Sequence, residues 1–256
     1  MRSKVRISVL VAVLALVGAS CSNGDTEDDA AKGDETPSLA LGTVASSVEG
    51  NVVSLPVDID GIEIVKADGD TSDDSGHFHV FVDRDPVEEG EAIPKERGVV
   101  HSADNPVKIW GLEPGSHEFT IVLGNGAHER ILGDLEDAAT VDVKGPSVWG
   151  SAPKTAKEGD DVTVELMSKG VEIVKADGDT SGETGHYHVL VDPATPPQAG
   201  DTMPEAKEGS VYHTPDSSVD ITGLEKGEHI LWIVLGDGDH VAFDPPVMDK
   251  LTVTVE

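Results

Sequence analysis

The chain has 256 residues, with 49 Asp and Glu against 18 Lys and Arg and a formal net charge of −31. So acidic a chain has too few cations to displace the counterions of a polyphosphate, which excludes nucleic acid as a partner and disfavours lying on an anionic membrane surface. Its single cysteine excludes an intrachain disulfide framework.

Arg2, Lys4 and Arg6 form a positive start, and Ile7 to Val17 is apolar but for Ser8, too short to span a bilayer as a helix. Gly18, Ala19 and Ser20 then lead to Cys21. Residues 1–20 thus resemble a bacterial lipoprotein signal, although Gly18 stands where leucine is most usual. The resemblance implies a chain lipidated at Cys21, anchored in a membrane through that lipid and extracytoplasmic, in the cell envelope. An ordinary secretory signal is the alternative. Residues 21–40 are rich in Asp, Glu, Ser, Gly and Ala and read as a flexible acidic tether.

Two copies of one unit follow, expected over residues 41–145 and 146–256. Gly61 to Asp83 recurs as Gly170 to Asp192, with 17 of 23 positions identical. Helical periodicity is scarce, and the apolar segments are short, β-branched and bounded by Gly, Pro, Asp and Asn. In the first copy strands are predicted near residues 52–57, 62–66, 77–82, 99–101, 107–110, 118–123 and 140–143. In the second they are predicted near 162–166, 171–175, 186–191, 211–213, 219–221, 229–235 and 251–255. Seven short strands per 100 residues or so predict an all-β chain of two tandem immunoglobulin-like or cupredoxin-like β-sandwich domains.

The ten histidines form five pairs, one member in each copy, and none lies outside this scheme. Imidazole is the commonest protein metal ligand. His77 and His79 alternate along a predicted strand, as do His186 and His188, so each couple projects from one face while Phe78 and Tyr187 project from the other. His101 and His213 end a short strand after a long loop. His128 and His240 lie just past the strongest strand of each copy. These eight are the candidate metal ligands. His117 and His229 follow a turn at the entry to a strand, where a side chain can tie the turn down. An all-imidazole set without thiolate suits copper or zinc. The acidic loops 68–74 and 177–183 could offer oxygens to calcium, but they lack the EF-hand spacing and Asp-Gly turn chemistry explains them as well, so calcium is the less favoured ion. No nucleophile motif, H-E-x-x-H or phosphate-cradling loop is present, and nothing in the sequence marks an enzyme.

Gly185 to Asp192, Lys226 to His229, and Leu235 to His240 with Pro245-Pro246-Val247 resemble a bacterial extracytoplasmic domain family of unknown function. That family carries G-H-H-H-L-L-I-D, P-G-x-H and L-G-D-x-x-H motifs. The resemblance covers about 100 residues of the second copy and most of the first. Tyr187 and Phe78 replace the family's middle histidine, and the first copy reads Ile131-Leu132-Gly133-Asp134 in place of the P-P-V segment. It implies a secreted sandwich domain and brings no activity. Two functions follow as expectations. One is an anchored lipoprotein that binds divalent copper or zinc in each copy. The other is a structural or interaction module whose histidines brace loops and whose acidic surface meets cations or a protein partner.

Overall fold

The computed structural model describes residues 36–256. Cys21, the leader and most of the expected tether lie outside the described residues. No helix occurs among those described. The first repeat holds β1 (Ser38–Leu41), β2 (Ser47–Glu49), β3 (Val53–Leu55), β4 (Val57–Asp60), β5 (Glu63–Ile64), β6 (Ser75–Val82), β7 (Val99–Ser102), β8 (Val107–Ile109), β9 (Gly115–Gly124) and β10 (Glu136–Lys144). The second holds β11 (Ser147–Ser151), β12 (Thr155–Ala156), β13 (Val162–Lys169), β14 (Glu172–Ile173), β15 (Thr184–Val191), β16 (Val211–Thr214), β17 (Ser218–Ile221), β18 (Gly227–Gly236) and β19 (Met248–Val255).

Each repeat is a two-layer sandwich. The larger sheet runs β2-β10-β9-β6-β5 in the first repeat and β12-β19-β18-β15-β14 in the second, with β7 and β16 pairing β6 and β15. The facing layer is β3-β8 in the first repeat and β11-β13-β17 in the second. Val53, Leu55, Val107 and Ile109 of the small layer meet Phe78, Val80, Phe119, Ile121 and Val141 of the large one in a single core. Val162, Val164, Leu166 and Ile221 meet Tyr187, Val189, Leu231, Ile233 and Val253 likewise. Alternation of core-facing and outward residues is what lets strands this short bury enough apolar surface to form.

Two details depart from expectation. Ser38–Leu41, at the end of the expected tether, is a strand paired with β4. Its alternate residues Leu39 and Leu41 pack on the first core, which offsets the cost of ordering them. The edge strands β2, β11 and β12 were not anticipated, because two to five residues of mixed polarity carry no period to read.

The repeats also share a packed interface. Trp110 meets Trp232 edge to face at 5.2 Å, with Lys250 Nζ 5.8 Å from both rings. Val52 and Trp110 close a cluster of Leu190, Met203, Trp232, Val234, Ala242 and Met248. The fully buried Asn51 donates to the Val148 carbonyl at 2.6 Å and accepts from the Met248 N–H at 2.8 Å.

Candidate metal centres

In each large sheet the core-facing residues, such as Phe78 and Val80, alternate with His77, His79 and Phe81 on the opposite face. That outer face is closed by the β6–β7 loop. Ile93 and Val99 cover Phe81 and Val122 there. The loop is zipped to the β9–β10 connection through Ile93 N–H to His128 O at 2.7 Å and Arg130 N–H to Glu91 O at 2.9 Å. The second repeat repeats the contact, with Met203 N–H to His240 O at 2.7 Å.

Register does the rest. His79 lies opposite His101, and His188 opposite His213, so each pair shares a face. His128 and His240 adopt φ of 64° and 60°, a left-handed conformation uncommon outside glycine. The turn is held by the side chain that stands three residues before each histidine. Asn125 Oδ1 accepts from Ala127 and Glu129, and Asp237 Oδ1 accepts from Asp239 and Val241, all within 2.9–3.1 Å.

The result is two constellations, His77, His79, His101 and His128, and His186, His188, His213 and His240. In each, one ring nitrogen per histidine lies within 4.8 Å of all the others. All eight candidate ligands are thus drawn together, four to a repeat. His186 Nε2 and His188 Nε2 stand 3.1 and 3.2 Å from His240 Nδ1. Two nitrogens each about 2.0–2.1 Å from one ion would be about 2.9–3.4 Å apart, from square-planar to tetrahedral angles. His240 Nδ1 can carry one proton, so it cannot satisfy both neighbours by hydrogen bonding, whereas an ion serves all three lone pairs.

The outer contacts favour ligation as well. His101 Nε2 donates to the Pro94 carbonyl at 3.2 Å and His213 Nε2 to the Pro204 carbonyl at 2.9 Å. That bond fixes the tautomer and leaves Nδ1 as a lone pair directed inward. His79 and His188 are fully buried, yet the Nδ1 of His77, His79, His101, His186 and His188, and the Nε2 of His79, have no hydrogen-bond partner among the described residues.

Electrostatics favour the neutral form of seven of these rings. Burial, then the neighbouring imidazoles, pushes His77 and His186 down to about 4, and His79 and His188 further still. Burial also lowers His101, His128 and His213. Asp68 opposes the shift of His77, and Asp237 and Asp177 oppose that of His186. Neutral imidazole is the form that binds a metal.

His117 and His229 stand apart. His117 Nδ1 pairs with Asp83 Oδ2 at 2.6 Å and its Nε2 with the Glu113 carbonyl at 2.8 Å. His229 pairs with Asp192 at 2.7 Å and with the Glu225 carbonyl at 2.7 Å. They tie the turn before β9 and β18, as their position suggested. Donating from both ring N–H groups, chiefly to the Glu225 carbonyl, holds His229 above its ordinary range. The acidic loops 68–74 and 177–183 are built of turns in which Asp70 and Asp179 accept from Ser72 and Ser181.

Sequence reasoning missed the two proline carbonyls. The aligned apolar-proline pairs Ile93-Pro94 and Met203-Pro204, inside otherwise divergent loops, were the available signal. It also missed Gly124 and Gly236, which admit the rings. A Cβ on Gly236 would sit 2.5 Å from His188 Cε1 and 2.9 Å from its Nδ1. Gly236→Ala should therefore displace His188 and weaken Zn²⁺ binding in the second repeat by about tenfold or more, comparable to losing an outer-shell partner. Titration of Zn²⁺ against this variant checks it.

Among solved structures, the chain is similar to the fibronectin(III)-like modules of CbhA from Clostridium thermocellum, with 14% identity, a TM-score of 0.27, and cover of 85% of this chain and 94% of that one. It is also similar to a tetra-tandem repeat from the extending region of a large adhesion protein, with 10% identity, a TM-score of 0.24, and cover of 86% and 49%. N-cadherin EC1-4 from Drosophila gives 13% identity, a TM-score of 0.25, and cover of 87% and 51%. A search of curated proteins returns no match. One family's sequence model matches twice, over residues 55–144 and 164–256, and the chain accordingly belongs to the family described as Domain of unknown function (DUF4399), in two tandem copies.

Proposed function

We propose that each repeat binds one divalent transition-metal ion, copper or zinc, through its four histidines. The observation that carries this reading is the convergence of four ring nitrogens in each repeat, all within 4.8 Å of one another. Four imidazoles without thiolate suit Cu²⁺ and Zn²⁺, and intrinsic affinity favours copper. The leader ending at Cys21 supports the further proposal that the chain is lipid-anchored and handles metal outside the cytoplasm.

Elemental analysis and titration of the purified protein with Cu²⁺ and Zn²⁺ test this. Two ions per chain are expected, falling to one in His186→Ala/His188→Ala. Binding no tighter than that of an unstructured histidine-containing peptide of equal content would remove the reading and leave the sandwich as an interaction module.

A further inference from the structure

The two centres share their ligands but not their surroundings. In the first repeat Lys95 follows Pro94, the residue whose carbonyl receives His101. Its ammonium acts unfavourably on the charged forms of His77, His101 and His128 alike, so its field reaches most of the cluster. A second cation, Lys154 of the other repeat, donates to the Lys95 carbonyl. In the second repeat the residue after Pro204 is Glu205, of opposite sign.

The turn that presents the last histidine differs in the same sense. Asn125 and Asp237 accept the same pair of backbone N–H groups at nearly the same distances. The turn therefore needs an acceptor and does not need a charge. Asp237 brings one, and its field acts on His186. Ala127 in the first turn is matched by Asp239 in the second. At these three positions, around ligand sets of identical composition, the second repeat is the more negative by four formal charges: two for Lys95 against Glu205 and one at each of the others.

Resting on the metal-binding reading above, we propose that the sites are graded. The second repeat takes up a divalent ion first, and Lys95, with Asn125 in place of an aspartate, makes the first repeat the weaker site. A divalent ion feels each neighbouring charge twice over. Even in a water-like, salt-screened medium, one charge within about 8 Å changes its affinity by roughly two- to sixfold. The two charges whose fields reach the rings, Lys95 and Asp237, predict dissociation constants about four- to thirtyfold apart.

The test is a Zn²⁺ titration of the full protein followed by the imidazole NMR signals, which report each site separately. Below one equivalent, the signals of His186, His188, His213 and His240 should shift while those of the first repeat stay. Lys95→Glu should tighten the first site by about tenfold and Asp237→Asn should loosen the second by about two- to sixfold. Asp237→Asn is safe for the fold because Asn125 already serves that turn. Simultaneous filling, filling of the first repeat before the second, or a gap that both variants leave untouched would overturn the grading while leaving metal binding intact. Failure of Zn²⁺ to bind either site would overturn the underlying reading together with this one.

Discussion

Replacing His79 and His188 by leucine is expected to raise the melting temperature of the metal-free protein while weakening metal binding in both repeats. Both rings are fully buried at the centre of their clusters. His79 has neither nitrogen bonded among the described residues, and His188 lacks a partner for Nδ1. A buried polar atom left unsatisfied costs about 1–3 kcal/mol, and leucine of similar bulk carries none. Part of that gain will be offset by imperfect packing against Gly124 and Gly236, which approach these rings closely. A net gain of about 1 kcal/mol per site corresponds to a rise of roughly 2–4 °C for a body of this size. Loss of a ligand should weaken Zn²⁺ binding more than about a hundredfold, since loss of an outer-shell partner alone costs about 10–100-fold. Calorimetric melting in chelator, beside a Zn²⁺ titration, reads both effects. A steep fall in melting temperature without metal would mean that these imidazoles brace the fold, and would favour the interaction-module reading.

The metal-free protein should lose stability steeply as the pH falls from about 6.5 towards 4. His77 and His186 are held down to about 4 by burial and by their imidazole neighbours, and His79 and His188 lower still. In the unfolded chain these rings take up protons near about 6.5. Below that pH the unfolded state binds more protons than the folded one, so stability falls with falling pH until the folded values are reached. Four rings act together, and the loss over this window amounts to several kcal/mol, a large part of an ordinary folding free energy. The many carboxylates oppose it only near and below about pH 4, where their neutralisation begins to relieve self-repulsion. An ion on the lone pairs excludes those protons, so Zn²⁺-loaded protein should keep its stability further into acid. Denaturant unfolding between about pH 7 and 4.5, in chelator and in Zn²⁺, measures the difference. A flat profile in chelator would refute the neutral buried cluster.

Much of this is legible in the sequence alone. The repeat was visible in Gly61–Asp83 and Gly170–Asp192, and strand alternation alone put His77 and His79 on one face. Thirteen of the fourteen anticipated strands occur with shifted ends, and the one expected over 52–57 is divided at Pro56 into β3 and β4, which pair in different sheets. What alternation could not give was register. That His101 lies opposite His79 depends on how the long loop between Val82 and Val99 returns, and no local pattern encodes that. The left-handed turns at His128 and His240 were equally silent, because nothing in the residue type of histidine announces a positive φ. The proline carbonyls were invisible for a simpler reason: a backbone acceptor is present at every residue and acquires meaning only through its neighbours.

The interface built on Asn51 and the two tryptophans bears on how such a chain could have descended. Once a duplicated unit uses its sibling's backbone to satisfy a buried amide, loss of the second copy would leave Asn51 and Trp110 facing water, and loss of the first would leave Trp232 and Met248 so. A single-copy ancestor would have needed polar residues in place of the tryptophan or methionine it exposed. The pair is thus held together by mutual dependence, and the separation of its two histidine clusters became an inherited dimension of the molecule.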